Sequence, residues 1–333
     1  MIEPSPSSAS ALRLKAIFGL VGCCALWGLS FPAMKTLGLH VGDQAPGIST
    51  WFVAAATVVV RFGIGAVVLA LSGWSRPRRN EVIQGIALGV FSGAGMLFQM
   101  DALNFTAAST SAFLTQGYVV LLPLMAALSA RAWPPAKTVI CVCLSMVGLG
   151  VLSGFDWSSL RLGRGETETL FAACAFAGQI QCLGASRFQG NRERVVTTVM
   201  FACVAVLLTP LAFGTMHGWA QFGALFSTPL ALSLVFLLTF PCTIVAFKLM
   251  NRYQPEVSPS EAGIIYGAEP LFASLLALFL PGIFATLARV DYPNEALTVR
   301  LFCGGGLVLL ANVLLQSRLS FGGPRKSMID VAK

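Results

Sequence analysis

Ten apolar runs of about twenty residues divide this chain, and that spacing leaves few folds open. A helix of about 20 apolar residues crosses the hydrocarbon core of a bilayer, where every backbone polar group must be satisfied from within. The runs lie at 16–34, 51–72, 82–101, 109–128, 137–154, 167–186, 195–213, 229–250, 259–281 and 299–317. The longest segments between them on one side, 35–50, 214–228 and 282–298, leave no room for a soluble domain. Only 11% of the residues are charged and 56% are hydrophobic. A soluble domain of this length would carry about 25% charged residues. The expectation is an all-α integral membrane protein with ten transmembrane helices.

Charge then sets orientation. Of the 22 Lys and Arg, sixteen fall in segments on the same side as the N-terminus, five fall on the other, and Arg61 lies within a run. Basic residues concentrate in cytoplasmic loops, so both termini are expected inside a cell inner (plasma) membrane, with the lipid bilayer as the surrounding partner. The same rule accounts for the net charge of +8 without a nucleic acid partner. The Ser- and Pro-rich start reads as a cytoplasmic tail. Leu20-Val21-Gly22-Cys23 fits a lipoprotein cleavage box, but the apolar run continues past it through Trp27 and Phe31, which favours an uncleaved first span. The nine cysteines sit in apolar runs with no C-x-x-C pair, and with only two histidines no metal site is implied. No cofactor is expected.

One stretch is written twice. Ser111 to Leu128, SAFLTQGYVVLLPLMAAL, has an echo 147 residues on, Ser258 to Leu275, SPSEAGIIYGAEPLFASL. Pro123 maps to Pro270, Leu124 to Leu271 and Ala126 to Ala273, and upstream Asn104 maps to Asn251. A duplication of five spans, an odd number, inserts its second copy upside down. Two inverted five-helix repeats are the architecture of secondary transporters, whose substrate site lies near mid-membrane between the halves. The expected divisions are a tail at 1–15, a first repeat at 16–154, an outer linker at 155–166, a second repeat at 167–317 and a tail at 318–333.

Arg61 and Glu269 are the charges placed at mid-membrane. An arginine at a helix centre costs about 2.5–3.5 kcal/mol on insertion scales, so it faces protein or water. It serves either an anionic group or a structural pair. Glu269 shares a helix face with Ser258, Ala262 and Ile265, with Tyr266 beside it, and is the expected partner of Arg61 at a central cavity. The sequence permits proton coupling at Glu269 without requiring it. Thr115 and Tyr118 share a stripe with Ser111. Trp27, Gln99 and Gln179 are either helix–helix contacts or substrate contacts. Pro123 and Pro270 remove a backbone hydrogen bond inside spans, giving either paired gates or static bends. Gly85, Gly89 and Gly93 recur every four residues and offer a flat packing face.

The pieces ALWGLSFPAMK at 25–35, VVVRFGIGAVVLAL at 58–71 and ALNFTAASTSAFLTQGYVVLLPLMAAL at 102–128 resemble the drug/metabolite transporter superfamily, in particular proteins with two EamA-type domains. In the second half AEPLFASLLALFL at 268–280 is similar to the equivalent span. The resemblance implies ten spans, inverted repeats, cytoplasmic termini, alternating access and a cavity lined mainly by spans other than 5 and 10. The chain departs from the Gly-Glu pair many members carry after spans 4 and 9, having Ser129-Ala130-Arg131 and Pro281-Gly282-Ile283 there.

The expected function is a secondary transporter, not an enzyme, exporting a small metabolite or amino-acid-like compound. The alternative is a membrane-embedded lipid-modifying enzyme or a non-transporting sensor. No P-loop is present to couple ATP, and neither HExxH nor an Asp-rich motif supports an enzyme. The partner is a small-molecule substrate, and a homodimer is left open.

Overall fold

The computed structural model describes residues 6–73, 75–106, 108–153, 163–289, 292–294 and 296–317. The parts of the tails and linker expected at 1–5, 155–162 and 318–333 lie outside the described residues. Among the described residues there are fifteen α-helices and no strand. They are α1 (Pro6–Gln44), α2 (Thr50–Leu71), α3 (Arg79–Ala102), α4 (Ala108–Thr115), α5 (Tyr118–Ala130), α6 (Ala136–Ser153), α7 (Arg164–Leu183) and α8 (Glu193–Gly214), then α9 (Trp219–Ala224), α10 (Pro229–Thr239), α11 (Ala246–Tyr253), α12 (Pro259–Tyr266), α13 (Glu269–Ala277), α14 (Leu280–Ala288) and α15 (Val299–Gln316).

Each of the ten apolar runs is helical, yet six rods are long and apolar enough by themselves to cross a membrane. A seventh arises if α12–α13 and α14 count as one span across a 57° bend. Ala136–Leu152 and Val299–Leu315 are shorter apolar helices. The 20-residue α7 begins with Arg164, Glu166 and Glu168, which dilute its hydropathy. The outward faces are strongly apolar, with Val206 73% and Leu128 70% exposed. A continuous surface of that kind suits lipid and not water. This is a multi-pass membrane protein.

Local chemistry explains the interruptions. Ser258 caps α12 by accepting from the Glu261 amide at 3.2 Å, and Glu261 accepts in return from the Ser258 amide at 3.1 Å. Arg13 of α1 pairs with Glu261 at 2.6 Å. Between α10 and α11 the helix widens into a π-turn over Phe240–Val245, where Pro241 lacks a donor and the Thr243 hydroxyl donates instead to the Leu238 carbonyl at 2.8 Å. Two rods break without a proline at the break itself. At Gln116-Gly117 and at Gly267-Ala268 the ladder tightens to i→i−3 bonds, Gly117 donating to Leu114 and Ala268 to Ile265, each at 3.0 Å. Pro123 lies five residues inside α5, whereas Pro270 stands in the first turn of α13, where its missing N–H costs little. The sharp 57° bend falls after Ala277, beside Pro281 and not at Pro270. The segment from 282 on, expected as an outer loop, is therefore partly helical, as α14.

The packing joins rods from the two halves of the chain. α2 lies against α8 and α6 against α15. α3 packs on α7 as α1 packs on α11, while α4 meets α13 and α5 meets α12. The two broken rods thus cross antiparallel at their breaks, with Gly263 of α12 against Leu122 and Val119 of α5. The glycine face of α3 is used unevenly. A Cβ at Gly85 would stand 2.6 Å from Val199 and one at Gly89 2.6 Å from Cys203, both on α8, whereas one at Gly93 would find 3.5 Å of room.

Candidate functional site

A narrow cavity opens at the centre of the bundle. Its lining has a simple rule: six segments each contribute a pair of side chains three residues apart, so each turns one face inward, and α7 adds Ile180. They are Trp27 and Ser30 on α1, Met96 and Gln99 on α3, and Phe176 and Gln179 on α7, joined by Phe247 and Met250 on α11. Thr115 with Tyr118, and Tyr266 with Glu269, straddle the two helix breaks. The i→i−3 turns there bring the end of one helix and the start of the next onto the same wall.

The structure brings seven of the expected residues to this cavity: Trp27, Gln99, Thr115, Tyr118, Gln179, Tyr266 and Glu269. It does not bring Arg61. That side chain is 1% exposed, donating from Nε to Thr243 Oγ1 at 2.9 Å and from Nη1 to the Met34 sulfur at 3.4 Å, with Nη2 unpartnered. Among the described residues no ion pair joins Arg61 to Glu269, the partner expected for it. Arg61 lies in the middle of α2, whereas Glu269 begins α13 at a helix break, and the two side chains have different neighbours. Pro123 and Pro270 flank the breaks and are not among the lining residues.

Sequence reading passed over Ser30, Met96, Gln116, Phe176, Phe247 and Met250. Gln116 lies at the α4–α5 break. The signal that could have found three of the others was the three-residue partner of a residue already singled out, Ser30 for Trp27, Met96 for Gln99 and Phe176 for Gln179.

Within the cavity Trp27 is the hub. Its ring centroid is 5.5 Å from that of Phe247 at 65° and 5.6 Å from that of Tyr266 at 50°. Gln99 Nε2 donates to Thr115 Oγ1 at 3.3 Å, and Gln179 Nε2 reaches the Met250 sulfur at 3.5 Å. The Trp27 indole N–H and the Tyr266 hydroxyl are buried without a protein partner. Glu269 is the one charged side chain in the lining.

Two larger recesses flank the cavity along the bundle. One, of about 1010 Å³, is lined by Gln84, Leu183, Asn191, Asn251 and Arg252 among others. The other, of about 1080 Å³, is lined by Met34, Lys35, Met100 and Asn104 among others. About one helical turn separates each from the centre, Ile180 to Leu183 on one side and Ser30 to Met34 on the other. Polar networks, or locks, stand beside both recesses. At the first, Arg192 donates from Nε to Glu81 Oε1 and from Nη2 to Oε2, each at 2.7 Å, and Asn191 reaches Gln84 at 2.8 Å. At the other, Arg164 bonds Asp101 at 2.6 Å and Glu168 at 2.7 Å, with its guanidinium 4.0 Å from the Phe105 ring centroid.

The sequence profile of the EamA-like transporter family matches residues 14–154. A protein of Archaeoglobus fulgidus, described as an uncharacterized transporter, is 28% identical over 320 residues, covering 96% of this chain and 91% of that protein. A solved crystal structure aligns over 95% of this chain and 100% of its own, with a TM-score of 0.62 and 18% identity, a likeness of fold. Over residues 14–154 the chain is thus similar to the EamA-like transporter family.

Proposed function

We propose that the protein is a secondary transporter that moves a small metabolite or amino-acid-like compound outward by alternating access. The central cavity is its binding site, between ten spans arranged as two inverted five-helix repeats in the cell inner membrane, with both termini cytoplasmic. One observation carries this reading. The cavity pairs recur at a nearly constant step: Trp27 and Ser30 to Phe176 and Gln179 is 149, Met96 and Gln99 to Phe247 and Met250 is 151, and Thr115 and Tyr118 to Tyr266 and Glu269 is 151. The same six segments exchange in pairs under that step, as do the packing partners. A site made of equivalent walls from two halves of opposite direction favours a device that opens alternately to either end. The two recesses, each a turn away from the centre and each beside a polar lock, supply the two routes.

The test is transport by the purified full-length protein in liposomes. A thermal-shift screen of amino acids and metabolites finds a stabilising solute, and counterflow then measures its exchange. Expected is accumulation of labelled solute that depends on the protein and falls at least tenfold in Gln99→Leu or Gln179→Leu. A preparation that moves no solute under any gradient overturns the reading in favour of a sensor.

A further inference from the structure

We propose that the solute taken by this cavity is an organic amine in its ammonium form, carried on a flat apolar body, with the Glu269 carboxylate as its counter-charge. This rests on the central cavity being the transport site. Three features of the lining lead there. First, among the described residues the only charge in the lining is a carboxylate, with no lysine, arginine or histidine. Arg61, which would have drawn an anion, is engaged elsewhere by Thr243 and Met34. The polar lining is otherwise neutral hydroxyl and amide, so an anion entering here would meet repulsion from Glu269 and no cation in return. Second, the wall around that carboxylate is aromatic. Trp27, Tyr118, Phe176, Phe247 and Tyr266 share the cavity with Glu269. Ring faces attract ammonium groups, and tryptophan does so most strongly. A carboxylate among ring faces therefore selects cations twice over. Third, Tyr266 is 1% exposed and its hydroxyl has no protein partner, and the Trp27 N–H beside it is likewise unpaired. Buried polar groups are ordinarily satisfied, so two such groups facing one cavity are left for polar atoms of a bound molecule.

The experiment compares three probes of matched shape on the purified full-length protein in detergent: phenethylamine as the cation, phenethyl alcohol as the neutral molecule and phenylacetate as the anion. Binding is read by isothermal titration calorimetry. Phenethylamine is expected to bind at least tenfold more tightly than either of the others. Glu269→Gln should weaken phenethylamine at least tenfold while changing phenethyl alcohol less than threefold, and Glu269→Asp should keep the preference for the amine. Trp27→Leu should weaken the amine severalfold with Glu269 intact. Size-exclusion profiles and melting curves show which variants are folded, and the three-probe comparison on the unaltered protein stands whether or not a variant folds. Tighter binding of phenylacetate or of the alcohol, no binding of the amine at millimolar concentration, or a preference that survives Glu269→Gln overturns the proposal. Liposome exchange separates this from the transport reading. Amine binding without exchange of any solute would overturn transport and keep the cation site, whereas exchange of an anion without amine binding would overturn the amine alone.

Discussion

Arg61 poses the sharpest question at the scale of single residues. A guanidinium with five donors is buried at mid-helix against one hydroxyl and one thioether, and Nη2 has no partner. Removing a charge from such a place and filling the volume with an apolar side chain is often neutral or stabilising. Arg61→Leu is therefore expected to melt at or above the unaltered protein in detergent and to bind cavity ligands within threefold of it. Thr243→Val is different. It strands the Arg61 Nε donor and removes the hydroxyl bond that spans the π-turn, which costs about 1–3 kcal/mol for the buried donor left unsatisfied. A melting curve ordered Arg61→Leu above Thr243→Val would support this account, and the reverse order would give Arg61 a role that the structure does not assign. Glu81 makes the opposite case. Its carboxylate is fully buried and receives three bonds from Arg192, two from the guanidinium and one from the backbone amide. Arg192 is 38% exposed, so solvent screens part of the pair. Glu81→Gln should cost about 2 kcal/mol, below the range for a fully buried pair, and lower the melting temperature by several degrees. Hydropathy exposed Arg61 and Glu269 because each interrupts an apolar run. It could not pair them or separate them, because the direction a side chain takes depends on how its helix is rotated within the bundle. Glu81 went unnoticed because it stands in the polar first turn of α3, where a carboxylate is ordinary.

At the scale of helices, close approach is the organising contact. α3 and α8 meet where Gly85 and Gly89 face Val199 and Cys203, with the Val196 and Met200 carbonyls only 3.1 and 3.0 Å from the added carbon. A backbone carbonyl cannot swing aside, so an alanine there must push the helices apart. Gly85→Ala or Gly89→Ala is expected to cost about 1–3 kcal/mol by overpacking. Gly93→Ala meets only ordinary contacts, so removing a helical glycine should leave stability unchanged or raise it by about 0.5–1 kcal/mol. Melting temperatures of the three variants in one detergent test this, and equal effects at all three positions would reject the uneven face. The run of three glycines in α15 divides likewise: Gly304 abuts the α6 backbone at Leu152 and Gly148, while Gly306 meets nothing within 4 Å. Periodicity named the glycine faces and the apolar runs, since both are written in composition. It left the breaks unseen, because neither coincides with a proline. The 147-residue echo was read from matching prolines, but the structure equates the breaks and the cavity pairs at 149 to 151. The difference of four residues is about one helical turn, so the inward face survives while the correspondence moves. Glu269 then answers to Tyr118 and not to Leu122, which is buried against Gly263 and does not line the cavity.

For the molecule as a whole, the proposed exchange between ends requires that the two polar locks face different compartments. Basic residues cluster with the Arg192 lock: Arg76, Arg78, Arg187 and Arg192 lie in its two loops, and Arg79 and Arg194 stand at the helix starts that follow them. The Arg164 end is poorer in them and carries Trp219 on the short α9, 71% exposed, as an interfacial tryptophan would be. Anchoring by charge on one side and by aromatic rings at the interface predicts that the Arg192 end faces the cytoplasm. The prediction can be read with single cysteines placed in a background whose nine native cysteines are replaced. In intact cells a membrane-impermeant maleimide should label His217→Cys, at the α8–α9 turn, and should leave Asn191→Cys unlabelled until the membrane is permeabilised. The converse pattern would invert the protein and turn the proposed export into uptake. Labelling of both sites in intact cells would instead mean that the rods between them do not cross the bilayer as the ten-span arrangement requires. In the proposed arrangement the two halves insert in opposite senses, so the charge asymmetry between the ends, and not the near-symmetric cavity, has to fix which way the protein points.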